Sequence, residues 1–230
     1  NTEVTAALVT ESTLVVAGTA KVTISDAADT SIEATVLSAI GAKTSGVVTV
    51  SNAIIITGSN TEVTAALVTT ASLVVAATAK VTISDDADTS IAATVLSAIG
   101  AKTSGEVTVS NAIVITGTVA QVTAALVTAD TLVVAATATV TISGTLSTAT
   151  EISTLASIAG ATTGKVTATV SGTAAVVDDI GTTSSTDTIT VTVSDEVTVA
   201  QGNTIVTGTD ASTVTFTSGI EDTLANLVNA

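Results

Sequence analysis

The chemistry this chain could carry lies in its carboxylates. Twenty Asp and Glu stand against five Lys, and His, Cys and Arg are absent. The densest acidic group is Asp85-Asp86-Ala87-Asp88, echoed 59 residues earlier by Asp26 and Asp29. Oxygen ligands offered by neighbouring turns suit Ca²⁺, which takes about six to eight hard oxygens. Asp26, Asp29, Asp85, Asp86 and Asp88 are therefore the calcium candidates. The spacing D-x-[DN]-x-[DN]-G of the helix–loop–helix calcium site is not met, and the same residues also read as turn formers that cap the next helix and accept backbone N–H bonds. Asp178-Asp179, Asp195-Glu196 and Glu221-Asp222 are lesser acidic pairs.

Other chemistries find less material. Gly41-Ala42-Lys43-Thr44 and Gly100-Ala101-Lys102-Thr103 invite a phosphate-loop reading. That motif requires Lys directly after Gly, with another Gly five residues before it, and neither holds. A helix C-cap followed by a Lys that complements the helix dipole explains the phrase instead. Without His or Cys, the usual general base and thiol nucleophile are missing, and near-identical repeats rarely enclose a unique pocket. A non-enzymatic role is expected, with no cofactor beyond the possible calcium. Thr186, Thr188, Thr190 and Thr192 alternate along one segment, as do Thr213, Thr215 and Thr217, which puts each set on one face of a strand. Such Thr ladders could order water, as in ice-binding solenoids. They also suit a solvent-facing strand on propensity alone.

The elements that must position these residues are repeats. Residues 1–59 and 60–118 are identical at 50 of 59 positions, and a looser third copy starts at Val119. Fixed-period self-similarity points to stacked units. Within the long repeat, alternating β-branched runs such as Val22-Thr23-Ile24, Val81-Thr82-Ile83 and Val191-Thr192-Val193 read as strands. Each ends in a turn of Ser or Thr followed by Asp or Gly. Thr23, Thr49, Thr82 and Thr108 are expected outside, with Val22, Ile24, Val48 and Val50 inside. Between strands, Ile32, Val36, Leu37 and Ile40 mark one face of a short helix. Asp29-Thr30-Ser31 and Asp88-Thr89-Ser90 offer its N-caps, and Gly41 and Gly100 its C-caps. The segments 61–68 and 152–158 read as similar helices.

Parallel strands joined by such crossovers predict a right-handed parallel β-solenoid, with short helices in the crossovers, over residues 1–230. Its units run approximately 1–24, 25–56, 57–83, 84–115, 116–142, 143–170, 171–193 and 194–220, with a partial unit from 221. Both ends then lie open, and neighbours are expected there, either more chain or another copy. A core of Val, Ile, Leu and Ala with Phe216 as the sole aromatic fits narrow stacked layers. A mean hydropathy of +0.72 comes without any run of 18 apolar residues, so no transmembrane helix is expected. A net charge of −15 disfavours nucleic acid and anionic membranes as partners, and keeps a β-rich apolar chain soluble.

Ile220-Glu221-Asp222-Thr223-Leu224-Ala225-Asn226-Leu227 resembles the "ISDTAANL" phrase of long repetitive surface proteins of cyanobacteria and proteobacteria. Val197-Thr198-Val199-Ala200-Gln201 is similar to their "TVAQ" phrase, and the stretch 166–175 to another stock segment. The Gly-Gly-x-Gly-x-Asp calcium nonapeptide of toxin-type repeats is absent. The resemblance implies an exported, non-enzymatic protein at the cell surface: an adhesin stalk, sheath, surface layer or filament, self-assembling end to end. Ice binding through Thr ladders and a calcium-stabilised secreted repeat are the alternatives.

Overall fold

In the computed structural model, residues 1–10, 18–71, 74–129, 133–181, 183–184, 186–208 and 211–228 are described. The repeated triplets Val-Thr-Ile and Val-Thr-Val become strands because β-branched residues fit a pleated, half-buried surface. In chain order the strands are β1 (Val22–Ile24), β2 (Ser31–Glu33), β3 (Val48–Val50), β4 (Ile55–Gly58), β5 (Val74–Val75), β6 (Lys80–Ile83) and β7 (Ser90–Ala92). There follow β8 (Val107–Val109), β9 (Val114–Gly117), β10 (Val133–Val134), β11 (Thr139–Leu146), β12 (Val166–Gly172), β13 (Thr188–Val193) and β14 (Thr213–Phe216). Alternation orients Ile24, Val48 and Val50 inward and Thr23 and Thr49 to solvent as expected, whereas Val22, Thr82 and Thr108 are half-buried.

The chain forms two compact units. The first comprises residues 1–113 and 124–135, the second residues 114–123 and 136–230. In the first, one parallel sheet has the order β1-β3-β5 and another the order β10-β8-β6-β4-β2. In the second, strands of a third parallel sheet run in the order β14-β13-β12-β11-β9.

This arrangement corrects the expected β-solenoid. The molecule is an α/β fold of three parallel sheets with helices interleaved between the strands. The reason lies in a mismatch of periods. Val22 pairs with Val48 and Val48 with Val74, a step of 26 residues; Val81 pairs with Val107 and Val107 with Val133, the same step. The sequence repeats every 59 residues, so copies of one strand do not stack on each other. Two pairing steps leave seven residues over, and those seven carry the copy into another sheet: β1 lies in the first sheet and its copy β6 in the second.

The helices also depart from expectation at their ends. Ile32 and Ile91 belong to β2 and β7, and the helices run Ala34–Gly41 and Ala93–Gly100. Extended backbone through Ser31–Glu33 removes Asp29-Thr30-Ser31 from the cap position. Glu33 and Ala92 stand there instead, and neither side chain caps. Gly41 and Gly100 close these helices as ordinary right-handed residues, with Ala42 and Ala101 as C-caps at φ −68° and −66°. The buried stripe is Ala34, Leu37 and Ile40; it shares Leu37 and Ile40 with the expected face, while Val36 is half-buried. The expected helix at 61–68 is a short α-helix, Asn60–Val63, running into a π-turn, Thr64–Val68. Ser59 and Glu62 cap it reciprocally, and Thr148 and Glu151 do the same for the helix Ala149–Gly160, which buries Ile152, Leu155 and Ile158.

What carries the chain from helix to strand is a Thr corner. The hydroxyl of Thr44 donates to the Ala20 carbonyl at 2.6 Å and accepts from Gly46 N at 2.9 Å. Thr103 does this between Ala79 and Gly105, and Thr162 between Ala138 and Gly164. All three Thr are buried. The adjoining glycine lets two backbones touch: a Cβ on Gly105 would lie 2.3 Å from the Ala79 oxygen, and one on Gly164 would lie 2.2 Å from the Ala138 oxygen. We predict that Gly105→Ala or Gly164→Ala destabilises the fold by about 2–3 kcal/mol, as overpacking against an immovable backbone does. Gly160→Ala, with nothing within 4 Å of its Cβ, should instead gain about 0.5–1 kcal/mol. Urea unfolding followed by far-UV circular dichroism measures both.

Candidate functional site

The acidic residues occupy the turns that follow the short strands. Asp85 comes two residues after β6 ends at Ile83, and it is buried. Its Oδ2 accepts from Asn60 N at 2.6 Å and its Oδ1 from Asn60 Nδ2 at 2.7 Å. Asn60 is the first residue of a helix, where a backbone N–H has no partner within the helix. From the other side, Asn111 Nδ2 donates to the Asp85 carbonyl at 2.7 Å. Asp85 thus joins three segments separated by about one pairing step each.

The same device recurs. The Asp26 carboxylate takes the amino nitrogen and Nδ2 of Asn1, and Asn52 Nδ2 donates to the Asp26 carbonyl at 2.7 Å. In the second unit, Asp195 accepts from Ala174 N at 2.7 Å and Asp222 from Val199 N at 3.1 Å. Ala174 and Val199 are again first residues of helices. A carboxylate supplied by the following turn caps a helix that lies 21 to 25 residues upstream.

The other calcium candidates do different work. Asp29 and Asp88 adopt positive φ, 61° and 63°, a conformation that Asp tolerates better than most side chains. Their amides donate across to Ala53 and Ala112 carbonyls. The exposed Asp29 carboxylate pairs with Lys80 Nζ at 2.9 Å. Asp86 is exposed. Asp26 and Asp29 share one turn, and Asp85, Asp86 and Asp88 share another. Among the described residues, no three acidic side chains converge so as to hold a metal ion.

Charge sets the protonation of several groups. The terminal ammonium of Asn1 holds the Asp26 carboxyl below its usual range. Asn226 Nδ2, then Thr223 N, lower that of Asp222, and the Ser147 amide with Thr148 lowers that of Glu151. Glu196 shifts the other way. Residues Val197 and Ile220 form a parallel bridge that places Glu196 and Glu221 diagonally across it, and the hydrogen bond and repulsion between the two carboxyls raise Glu196.

Lys43 and Lys102 are exposed beside the Thr corner, and the hydroxyls of Thr44 and Thr103 are taken up by carbonyls. The helix-end phrase is therefore a backbone joint. Of the sequence-predicted Thr sets, Thr188, Thr190 and Thr192 share the outward side of β13, and Thr213 and Thr215 that of β14. Thr186 pairs with Ser184 before the strand, and Thr217 turns back to the Val193 carbonyl. The buried Thr of the corners escaped sequence reasoning, as did Asp187. Only 4% exposed, Asp187 accepts from Val166 N and Ser184 N, both at 2.8 Å. The recurring Thr followed two residues on by Gly was the signal available for the corners.

No family model, no curated protein and no solved structure matches this chain.

Two predictions follow from the acid geometry. Asp85→Ala strands the Asn60 amide and should cost about 1–2 kcal/mol, whereas Asp86→Ala should stay within about 0.5 kcal/mol; chemical denaturation of both variants decides this. The second concerns pH. Asp26, Asp222 and Glu151, lowered in the folded state, contribute stability that is present above their unfolded values of about 4 and lost as pH falls through the lower folded values. Glu196, raised, favours the fold below its unfolded value and disfavours it as pH rises through the folded one. Glu196→Gln should therefore raise the melting temperature at pH 7 and leave it unchanged at pH 3.

Proposed function

We propose that this chain is a structural module of an extracellular bacterial surface protein, and that it associates with further copies of itself in a head-to-tail manner. The supporting observation is the segment 213–228. Strand β14 ends its sheet, and among the described residues no strand pairs with its other edge. Next to it in sequence, Leu224 and Val228 are 78% and 72% exposed, and Ile220 and Leu227 are also exposed. A free parallel edge accompanied by bare aliphatic side chains is the kind of surface that another strand and another apolar surface cover. A head-to-tail contact between unlike surfaces continues into filaments unless its rotation closes a ring.

The chemistry inside the chain favours a partner of the same sequence. Internal pairing already joins Val-Thr-Ile to Val-Thr-Val segments in register, so a further copy presents the complement of an edge by construction. The likeness of the 166–175, 197–201 and 220–227 phrases to bacterial surface repeats supports a place outside the cell, in a filament, sheath, surface layer or adhesin stalk. A non-enzymatic role accords with acids and hydroxyls that are spent on caps and corners. No helix among the described residues is long and apolar enough to cross a membrane.

Negative-stain microscopy and sedimentation velocity test the proposal. The expected result is rods or filaments for the unaltered chain, and monomers for Leu224→Glu/Leu227→Glu with unchanged circular dichroism. A chain that sediments as a monomer at every concentration overturns it.

A further inference from the structure

The outward side of the second unit's sheet has a composition found nowhere else on the described strands. Apart from the bulge glycine Gly144, every solvent-facing position of β11, β12, β13 and β14 is Thr or Ser. Strand register sets these residues in rows. The central row is Thr145, Thr169, Thr190 and Thr213, each paired with the next and all exposed. Thr141, Thr167 and Thr188 form the row on one side of it. Ser171, Thr192 and Thr215 form the row on the other. Neighbours are about 4.8 Å apart across strands and about 6.6 Å apart along β12, β13 and β14, while on β11 the bulge at Gly144 sets Thr145 four positions after Thr141.

Strand propensity alone does not account for this. The first unit has the same triplets and the same pairing, yet its corresponding rows are broken by other residues. One runs Glu33, Thr57, Thr82, Thr108, Val134, and its neighbour runs Ser31, Ile55, Lys80. On a chain of net charge −15, a face of four strands without a single charge is the exception. Among the described residues, none of the four central hydroxyls is used in a hydrogen bond within the protein.

The chemistry of the array narrows its ligand. Without a cation it offers nothing to phosphate or to an anionic polymer. It lacks an aromatic ring on which a sugar could stack, since Phe216 points to the other side of β14. What it offers is a two-dimensional lattice of paired methyl and hydroxyl groups, the methyls ordering water beside them and the hydroxyls hydrogen-bonding to it. The complement is a rigid, uncharged lattice of hydrogen-bonding oxygens with repeats of similar size in both directions. We propose that the outward face of β11–β14 binds the surface of ice crystals, the oxygen rows of ice lying along the Thr rows.

The experiment uses the whole chain. Nanolitre osmometry and crystal-shape microscopy should show thermal hysteresis and faceted ice in its presence. Thr190→Tyr, in the middle of the central row, should lose most of that hysteresis. Thr49→Tyr, the same change on the first unit's β3, should keep it. Circular dichroism confirms folding of each variant, and Thr169→Lys replaces Thr190→Tyr should the latter not fold. Freezing indistinguishable from an equal concentration of a non-binding protein overturns the proposal, as does hysteresis that survives both Thr190→Tyr and Thr169→Lys.

Discussion

A strand of three residues makes too few ladder hydrogen bonds to hold its own register, and most strands of the first unit are that short. Register here is set at the corners. The buried hydroxyl of Thr44, Thr103 or Thr162 reaches back to a carbonyl 24 residues earlier while it accepts from the glycine amide two residues later. That glycine sits so close to the earlier backbone that any Cβ would collide with it. Slipping the pairing by one residue would break the Thr bond, drive the next residue's Cβ into a carbonyl and turn Val48 and Val50 out to water. Three penalties of separate origin fall on the same error, so an aliphatic core without large aromatic rings can still specify one alignment.

The acids act on other helices than those the corners follow: Asp85, Asp195 and Asp222 cap the helices that start at Asn60, Ala174 and Val199. A helix of four residues, such as Asn60–Val63, has no stability of its own and leaves its first N–H groups unpaired. Asp85 reaches Asn60 from the next turn, and Asn111 reaches Asp85 from the one after. Caps supplied by a neighbouring segment couple the segments to one another, which local caps such as Ser59 or Thr148 do not. The negative charge of the chain is thus partly structural: Asp85, Asp195 and Asp222 accept from orphan helix N–H groups, which a carboxylate does better than a neutral oxygen.

These couplings mark the limit of what was legible in the sequence. The strands could be read from β-branched alternation, and the orientation of Thr23 and Thr49 followed from it. The arrangement of sheets could not, because the 59-residue identity is the loudest signal in the chain while the 26-residue pairing step has no sequence signature of comparable strength. The expectation stacked all the short units into one solenoid, whereas β1 and β6, nearly the same words, lie in different sheets. The acids were legible as a group but not in their roles. Turn propensity marks Asp29 and Asp85 alike, yet one adopts positive φ on the surface and the other is buried against a distant helix. Asp187 was invisible, since nothing local distinguishes a buried acid that bonds Val166 from a solvated one.

Both proposed surfaces make the same demand on charge elsewhere in the chain. An uncharged hydroxyl face and a free strand edge are each prone to unplanned association, and a chain with both needs repulsion elsewhere. The first unit supplies part of it. Glu33, Glu106 and Asp86 are exposed there, and Lys80 is largely occupied by Asp29. Of these acids only Glu33 lies on a strand, Glu106 and Asp86 standing in the adjoining turns, while the outward face of β11–β14 carries no charge. An edge contact and a face contact also use different atoms of β14: backbone groups for a neighbouring strand, and the hydroxyls of Thr213 and Thr215 for a lattice. Assembly along the edge would therefore leave the Thr rows of β11–β14 uncovered.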